Sequence, residues 1–454
     1  MTAYTSANIK IRMFKLLHLL LCVALFACTW FLFCRQFGIN IAGRYHFFVC
    51  AVFTACMLFF SRIYNAYLIE YTGKQDINFS LSLSELLSIV LTIGAILIAW
   101  NKSYYHPWIF IILFVVLVVF NRIWTALAIS MYYKLNEPLR TVIVYRNKTD
   151  LKRISEVEHY ERKYRIEKYA EDPQTIEEAA AAIEGYDAVF IAGVNATLRN
   201  GIAKYCAEHN VQAFFLPHIG DILMAGAEHV QAFSVPIMSM QKVNDHPEYL
   251  IFKRLTDIVL SGLAIIVLSP FMLLTAIVIR LYDHGPALYK QVRLTKDGRE
   301  FEILKFRSMR VDAEKDGVAR LSSGENDPRI TPVGRFIRSI RFDELPQLFN
   351  ILKGDMTIVG PRPERPEIAA QYEDVLPAFQ LRLKVKAGLT GYAQVYGRYN
   401  TDPYDKLEMD LLYISRMSFL EDIKLMFATI RILFKGDSTQ GIDEGSVTAL
   451  DDDA

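Results

Sequence analysis

Cysteine is scarce, six in 454 residues, and no pair stands in a C-x-x-C or Cys/His spacing. No zinc site or disulfide framework can be read from such a pattern. Cys22, Cys28, Cys34, Cys50 and Cys56 lie in or beside apolar runs, and Cys206 stands alone. They read as small apolar residues in a reducing or lipid environment, and no metal or disulfide role is expected of them. Net charge is missing too: 50 Lys and Arg against 49 Asp and Glu leave +1. No global field argues for a nucleic-acid partner, so what matters is where charge sits locally.

What is abundant is apolar sequence, 52% of residues. Four long stretches open the chain, roughly Phe14–Phe33, Phe47–Phe60 extending toward Leu68, Leu83–Trp100 and Trp108–Met131. Each is near the length of about 20 residues that crosses a bilayer as helix. No small-residue cleavage site follows the first, so it does not read as a signal peptide. Trp30, Tyr104, Trp108, Tyr132 and Tyr133 gather near the ends, where interfacial aromatics belong. Lys10, Arg12 and Lys15 precede the first span, and Lys134, Arg140, Arg146, Lys148, Lys152 and Arg153 follow the fourth. The intervening outer loops carry only Arg35, Arg44 and Lys102. The positive-inside rule then places the N-terminus and everything after the fourth span in the cytoplasm.

From Arg140 to about Met240 the pattern changes. Thr141–Tyr145, Tyr164–Tyr169, Asp187–Ala192 and Val211–Leu216 read as strands, with helices over Ile176–Ile183 and Ala196–His209. That alternation predicts a parallel sheet of Rossmann type. The first strand is followed by Arg146-Asn147-Lys148-Thr149-Asp150, with no G-x-G-x-x-G. Without those glycines a backbone cannot closely approach a pyrophosphate. A structural or dimerising role is expected, with a regulator site left open; the spans and this domain together could support a homodimer.

Lys253-Arg254 introduces a fifth apolar run, 255–281, interrupted by Ser269-Pro270. Proline removes a helix hydrogen bond and breaks or kinks a helix. Lys253 and Arg254 flank one end; Arg280, Lys290 and Arg293 flank the other. Both ends therefore read as cytoplasmic, which favours a re-entrant helix–break–helix over a kinked span.

Next come a strand near Gly285–Arg293, a hairpin at Lys296–Arg299 and a second strand, Phe301–Phe306. A polar loop, Asp312–Asp327, has the composition of a lid. Pro332–Arg341 reads as a basic amphipathic helix of the kind that lies in a membrane interface. Packing on a soluble core is the equal alternative. The chemistry concentrates just beyond, at Arg341-Phe342-Asp343-Glu344-Leu345-Pro346-Gln347. Proline suits a first helical position, so a helix is expected from about Pro346 to Leu352 with the acids just before it. Free N–H groups and the positive dipole end favour negative charge there. Arg335, Arg338 and Arg341 stand three apart, and Arg362 lies in a proline-framed turn, Pro361-Arg362-Pro363. Acids, arginines and helix start together point to metal-assisted phosphoryl transfer, one carboxylate being a candidate nucleophile. The bland alternative is a charge-stabilised helix start beside a solvated arginine stripe.

The chain from Lys253 to about Gly436 resembles the bacterial sugar transferases, the monotopic polyprenyl-phosphate phosphoglycosyl transferases. The matching pieces, in order, are Lys253-Arg254, Ser269-Pro270, Gly285-Pro286, Lys305-Phe306-Arg307-Ser308-Met309, Asp343-Glu344-Leu345-Pro346-Gln347, Leu352-Lys353-Gly354-Asp355-Met356, Val359-Gly360-Pro361-Arg362-Pro363 and Gly388-Leu389-Thr390-Gly391. The preceding spans and Rossmann-like domain resemble the long members, which prime exopolysaccharide, capsule or O-antigen assembly. The resemblance implies that Asp343 is the nucleophile toward a UDP-hexose, expelling UMP, and that undecaprenyl phosphate then takes the hexose 1-phosphate. It implies that Glu344 is a metal ligand or base, that Mg²⁺ is the ion, and that Arg338 and Arg362 hold phosphate. Lys305 and Arg307 are weaker candidates for the same task. Tyr392 stands where the family often has tryptophan, Ala387 where it often has proline, and Phe342 where it often has leucine.

The expected architecture is a membrane protein of mixed α and α/β type. It has a four-helix transmembrane bundle (1–135), a Rossmann-like cytoplasmic domain (136–245), a membrane-associated α/β catalytic domain with a re-entrant helix (246–436), and an acidic tail (437–454). The expected partners are a UDP-hexose, galactose or glucose, undecaprenyl phosphate and membrane lipids in a bacterial inner membrane. Two other readings remain: a glycosyltransferase releasing UDP, and a scaffold or sensor whose acid pair is inert.

Overall fold

The computed structural model describes residues 2–37, 43–100, 108–232, 235–240, 246–311, 313, 327–397 and 402–433. The polar loop expected as a lid and the acidic tail therefore lie almost wholly outside the described residues. By backbone contact the chain divides into two compact units, Met1–Pro217 and His218–Ala454.

In the first unit the four apolar stretches form helices α1 (Thr2–Gln36), α2 (Gly43–Ile63), α3 (Lys74–Trp100) and α4 (Trp108–Leu135). All four are long and apolar enough to cross a membrane. They exceed the apolar runs because polar flanking turns continue the hydrogen-bond ladder. Their shared core contains Phe26, Phe53, Met57, Phe110 and Leu117, with the Phe26 and Phe53 rings stacked at 4.0 Å. Outward-facing side chains such as Phe47, Ile98 and Ile111 stay exposed, as expected of surfaces that lipid covers.

The chain then builds β1 (Leu139–Tyr145), α5 (Lys148–Ile154), β2 (Tyr164–Glu171), α6 (Ile176–Ile183), β3 (Ala188–Ala192), α7 (Ala196–His209) and β4 (Gln212–Phe215). The sheet is wholly parallel, in the order β2-β1-β3-β4. Its central strands carry continuous apolar runs because both faces are covered. Val142, Val144, Val189 and Ile191 pack against Ala179, Ile183, Leu198 and Ile202 of α6 and α7. Side chains of Thr175 and Asn195 accept from the first-turn amides of those helices, which fixes where each begins.

The second unit opens with α8 (Ile219–Ala225) and a hairpin of β5 (Glu228–Ala232) and β6 (Val235–Ser239). The fifth apolar run is α9 (Pro247–Asp283). It is helical throughout, with Pro270 inside, so the backbone break expected at Ser269-Pro270 does not appear as an interruption. The reason is local. Pro270 has no N–H for the carbonyl of Ile266, and the Ser269 hydroxyl donates to that oxygen instead, at 2.9 Å. Ile266, Val267, Phe271, Leu273 and Leu274 are exposed along the same stretch.

Strands β7 (Leu288–Leu294) and β8 (Glu300–Phe306) form the second hairpin, turning where Asp297 and Gly298 adopt positive φ. Then follow α10 (Pro332–Ser339), α11 (Gln347–Lys353), β9 (Thr357–Val359), α12 (Pro366–Val375), β10 (Gly388–Thr390), α13 (Tyr392–Tyr396), α14 (Pro403–Ser415) and α15 (Phe419–Leu433). Sheet in this unit is limited, among the described residues, to three two-stranded pieces. Helix α9 lies along the unit over much of its length. Ala264 and Ile265 pack with Phe301, Leu348 and Ile351, and Met272 and Ile279 with Phe306 and Ile337. On α10 the expected apolar side splits: Ile337 is buried, while Phe336 and Ile340 face outward.

Candidate active site

The acid pair sits where three short elements meet. Residues Phe342–Glu344 form a single 3₁₀ turn, entered through Arg341 at φ 57° and leading into α11. The expected helix start is thus displaced by one residue, to Gln347. Its far end is fixed by Gly354 at φ 99° and by Arg254, whose guanidinium donates to the carbonyls of Ile351 and Leu352 at 2.6 and 2.8 Å. A cation on the last carbonyls of a helix satisfies orphan acceptors and complements the dipole, for about 0.5–1 kcal/mol. Asn350 ties α11 to β8, accepting from Leu304 N at 2.9 Å and donating to Glu302 O at 2.7 Å. That tie places Lys305, the next residue on β8, beside the acids.

Glu344 Oε1 accepts from Lys305 Nζ at 3.1 Å and from Arg362 Nη2 at 2.9 Å, and Arg341 Nη1 lies 3.9 Å from Oε2. Burial by itself would push the Glu344 carboxyl up, but Lys305, Arg362 and Arg341 outweigh it and hold it well below the usual range. Asp343 is the opposite case. Burial and the neighbouring Glu344 charge push its carboxyl up, only partly offset by Lys305, Arg338 and Arg341. It is 9% exposed, and no hydrogen bond to its carboxylate is seen among the described residues. One adjacent acid is therefore pinned by cations, and the other is left with its oxygens available.

The structure brings Lys305, Arg362, Asp343 and Glu344 together, with Arg338 half-buried nearby and acting on Asp343 by its charge. It does not bring Arg307 to the acids. That guanidinium is paired with Asp283 at the end of α9, in space left by Gly285, where a Cβ would lie 2.0 Å from Arg307 Nη1. The arginine stripe also divides, since α10 ends at Ser339 and Arg341 leaves the helix. Ser269 and Pro270 lie on α9, away from the acid pair's hydrogen bonds.

Behind Arg362 lies a buried charge network that sequence reasoning missed. Arg382 Nη2 donates to the Arg362 carbonyl at 2.8 Å and meets Asp410 at 2.7 Å. Arg293 Nη1 donates to the Pro363 carbonyl at 3.1 Å. Glu364 collects Lys406 at 3.1 Å, Arg382 at 3.6 Å and Arg293 at 3.9 Å. Burial would raise the Glu364 carboxyl, yet Lys406, Arg382 and Arg293 hold it at about 2. Its members are spread from 293 to 410 with no common spacing; the faint signal was charged residues inside apolar segments.

The motif glycines have a packing cause. A Cβ on Gly388 would lie 2.1 Å from Gly360 N. The Val359-Gly360-Pro361 and Gly388–Gly391 backbones touch there, with Gly388 N donating to Pro361 O at 2.8 Å and Gly360 N to Thr390 O at 2.8 Å. Lys253 at the start of α9 reaches Asp422 at 2.7 Å and the Tyr413 hydroxyl at 3.0 Å, and that hydroxyl donates to Val359 O at 3.1 Å. Tyr392 packs beside Tyr413 and donates to Glu421 at 2.5 Å. Tyr392 and Ala387 therefore sit in packing contacts apart from the acids, whereas Phe342 lies in the acids' own turn and packs with Met272 and Ile279 of α9.

Comparison with known proteins bears on the same segment. The family described as bacterial sugar transferase matches residues 248–436. A UDP-glucose:undecaprenyl-phosphate glucose-1-phosphate transferase of Klebsiella pneumoniae is 40% identical over 221 residues, 48% of this chain and 46% of that protein. A UDP-N-acetylgalactosamine-undecaprenyl-phosphate N-acetylgalactosaminephosphotransferase of Aeromonas hydrophila is 42% identical over 193 residues, 42% of this chain and 45% of that one. The chain spans about half the length of these two relatives. The exopolysaccharide production protein PSS of Rhizobium leguminosarum bv. phaseoli is 40% identical over 190 residues, 40% of this chain but 94% of PSS. A match across nearly all of a short relative, together with a family match over 248–436, the segment that carries the acid pair and its cations, settles the assignment: this chain belongs to the bacterial sugar transferase family.

Proposed function

We propose that the protein transfers hexose 1-phosphate from a UDP-hexose, with glucose or galactose as the sugar, to undecaprenyl phosphate, and that it starts a surface polysaccharide. The observation that carries this reading is the divided acid pair: Glu344 held by Lys305 and Arg362, and Asp343 beside it with a carboxylate that accepts no hydrogen bond among the described residues. A carboxylate oxygen of Asp343 attacks the phosphorus that bears the sugar. The bond from that phosphorus to the bridging oxygen breaks, and UMP departs with the electron pair. An oxygen of undecaprenyl phosphate then attacks the same phosphorus, and the Asp343 oxygen leaves as carboxylate. No net proton moves in either step. Arg362 and Lys305 are placed to meet the charge on the phosphoryl oxygens, and Arg can do so through two parallel hydrogen bonds.

The donor chemistry of the acid pair fits Mg²⁺. Both side chains offer hard carboxylate oxygens, and Glu344 Oε2 lies 3.9 Å from Arg341 Nη1, beyond hydrogen-bond distance. Asp343 and Glu344 would hold the ion. When bound, it would supply neutralising charge to a diphosphate.

We further infer that α9 is re-entrant, entering and leaving on the cytoplasmic side of the bacterial inner membrane. Both of its ends hold the same unit: Lys253 and Arg254 bind Asp422 and α11, while Asp283 binds Arg307. A straight span would carry those ends to opposite sides of a bilayer core about 30 Å thick. The domain limits 136–245 for a Rossmann-like body and 246–436 for the catalytic body belong to the same reading, supported over 139–215 by the parallel sheet and over 248–436 by the family match, while α8 at 219–225 packs with the second unit through Ile222. The test is product identity: with UDP-glucose or UDP-galactose and undecaprenyl phosphate, UMP and a lipid diphosphate sugar are expected. Release of UDP would refute the phosphosugar transfer.

A further inference from the structure

Four polar side chains from three of the four N-terminal helices meet in the centre of that bundle. His18 and Cys22 stand one turn apart on α1, Glu85 comes from α3 and Asn121 from α4. All four are fully buried. Cys22 Sγ lies 3.5 Å from Glu85 Oε1 and 3.7 Å from His18 Nε2. The ligand atoms of His18, Cys22 and Glu85 all fall within 4.8 Å of one another. His18 Nε2 is 3.0 Å from Asn121 Oδ1, and Asn121 Nδ2 donates to Glu85 Oε2 at 2.8 Å. On the other side of the ring, His18 Nδ1 is 2.9 Å from the Tyr67 hydroxyl. Phe120 and Trp124 close over the imidazole at 5.1 and 4.3 Å.

We propose that His18, Cys22 and Glu85 form a zinc-class metal site inside the membrane bundle, with Asn121 Oδ1 as the fourth donor. Three physical arguments lead there. First, the spacing suits a tetrahedral ion: zinc bonds of about 2.0–2.3 Å put neighbouring N, S and O donors about 3.5 Å apart, close to the 3.5 and 3.7 Å separations around Cys22. Second, the donor set of imidazole nitrogen, thiolate sulfur and carboxylate oxygen is that of zinc, whereas Mg²⁺ demands oxygen throughout. Third, the charges cancel. One thiolate and one carboxylate neutralise a divalent cation, which removes the cost of a lone ionised acid in a low-dielectric bundle. Binding releases the Cys22 thiol proton to solvent. The His18 Nδ1–H then donates to Tyr67, the outer contact that orients a ligating imidazole. Sequence spacing could not show this site, since its ligands come from three helices.

The experiment uses the full chain, purified without a histidine tag in lipid nanodiscs. Elemental analysis is expected to find close to one zinc per chain, about the stoichiometry of a single four-coordinate site. Cys22→Ser and Glu85→Gln are each expected to lower retained zinc by roughly tenfold or more, while Cys28→Ser, on an exposed position, keeps it. Cobalt(II) in place of zinc should give a thiolate charge-transfer band that Cys22→Ser lacks. A readout in the unaltered protein guards against variants that do not insert: Cys22 should alkylate only after a chelator is added. Wild-type protein without zinc after equilibration with it, equal zinc in all variants, or alkylation indifferent to chelator would each overturn the site in favour of a hydrogen-bonded polar cluster.

Discussion

Arg382 donates through Nη2 to the main-chain oxygen of Arg362, 2.8 Å away, from a position that is 2% exposed. The same guanidinium meets Asp410 at 2.7 Å. A buried cation thus grips the backbone of the residue whose side chain pins Glu344. Arg382 touches no reacting atom in this account; it is a positioning residue. Arg382→Gln strands Asp410 and Glu364 as buried, undercompensated acids, at a cost of about 3–5 kcal/mol. At a temperature where the variant stays folded, kcat is expected to fall about tenfold or more as Arg362 loses its fixed place. Unchanged kcat with lowered stability would show the network to be structural alone.

The two acids predict a directional pH dependence. The Asp343 carboxyl is pushed up by burial and by Glu344, and Lys305, Arg338 and Arg341 offset only part of this. A nucleophilic carboxylate must be ionised, so kcat/KM should rise with pH through a value above the ordinary carboxylate range. Removing a cation destabilises the carboxylate further. Arg338→Gln should therefore move that limb to higher pH, read from initial rates at subsaturating UDP-sugar. A limb that stays put would remove Arg338 from the electrostatics of Asp343.

Acid stability follows from Glu364. Burial raises its carboxyl, but Lys406, Arg382 and Arg293 win and hold it at about 2 when folded, against an ordinary value near 4.3 when unfolded. A depressed folded value stabilises the fold above the unfolded value, and the benefit disappears as pH falls through the folded one. The contribution is about 3 kcal/mol at neutral pH, lost between roughly pH 4.5 and 2. Glu364→Gln should be less stable than wild type at pH 7, with the gap narrowing across that window. Denaturation midpoints in a mild detergent would measure it.

Ser269 and Pro270 behave as a coupled pair. The serine hydroxyl gives the Ile266 carbonyl the hydrogen bond that proline cannot. Ser269→Ala should cost about 1–2 kcal/mol in a bilayer, where no water substitutes. Adding Pro270→Ala restores an N–H and should recover most of that loss. Thermal melting of the four proteins in nanodiscs closes the cycle; a neutral Ser269→Ala would remove the coupling.

Local pattern carried well where local forces decide. The alternating strands and helices of 139–215 and the helix over 332–339 were legible because each buries a periodic apolar face. The acid pair was legible because Pro346 and adjacent charges mark a helix start. What the sequence hid depends on contacts between distant residues. Arg307 looks equivalent to Lys305, yet β8 ends between them, and only Lys305 faces Glu344. The Arg382 network joins residues more than 100 positions apart. At Pro270 the backbone rule predicts a lost hydrogen bond, and the hydroxyl that replaces it comes from a side chain, which a backbone rule does not see.

The most direct test asks whether Asp343 becomes covalently loaded. Protein incubated with UDP-glucose or UDP-galactose and Mg²⁺, without lipid acceptor, is quenched, digested and examined by mass spectrometry. The account predicts a hexose-phosphate adduct on the peptide containing Asp343, discharged by undecaprenyl phosphate and absent from Asp343→Asn. Lipid product forming at the wild-type rate from Asp343→Asn, with no adduct on that peptide in the wild type, would contradict it.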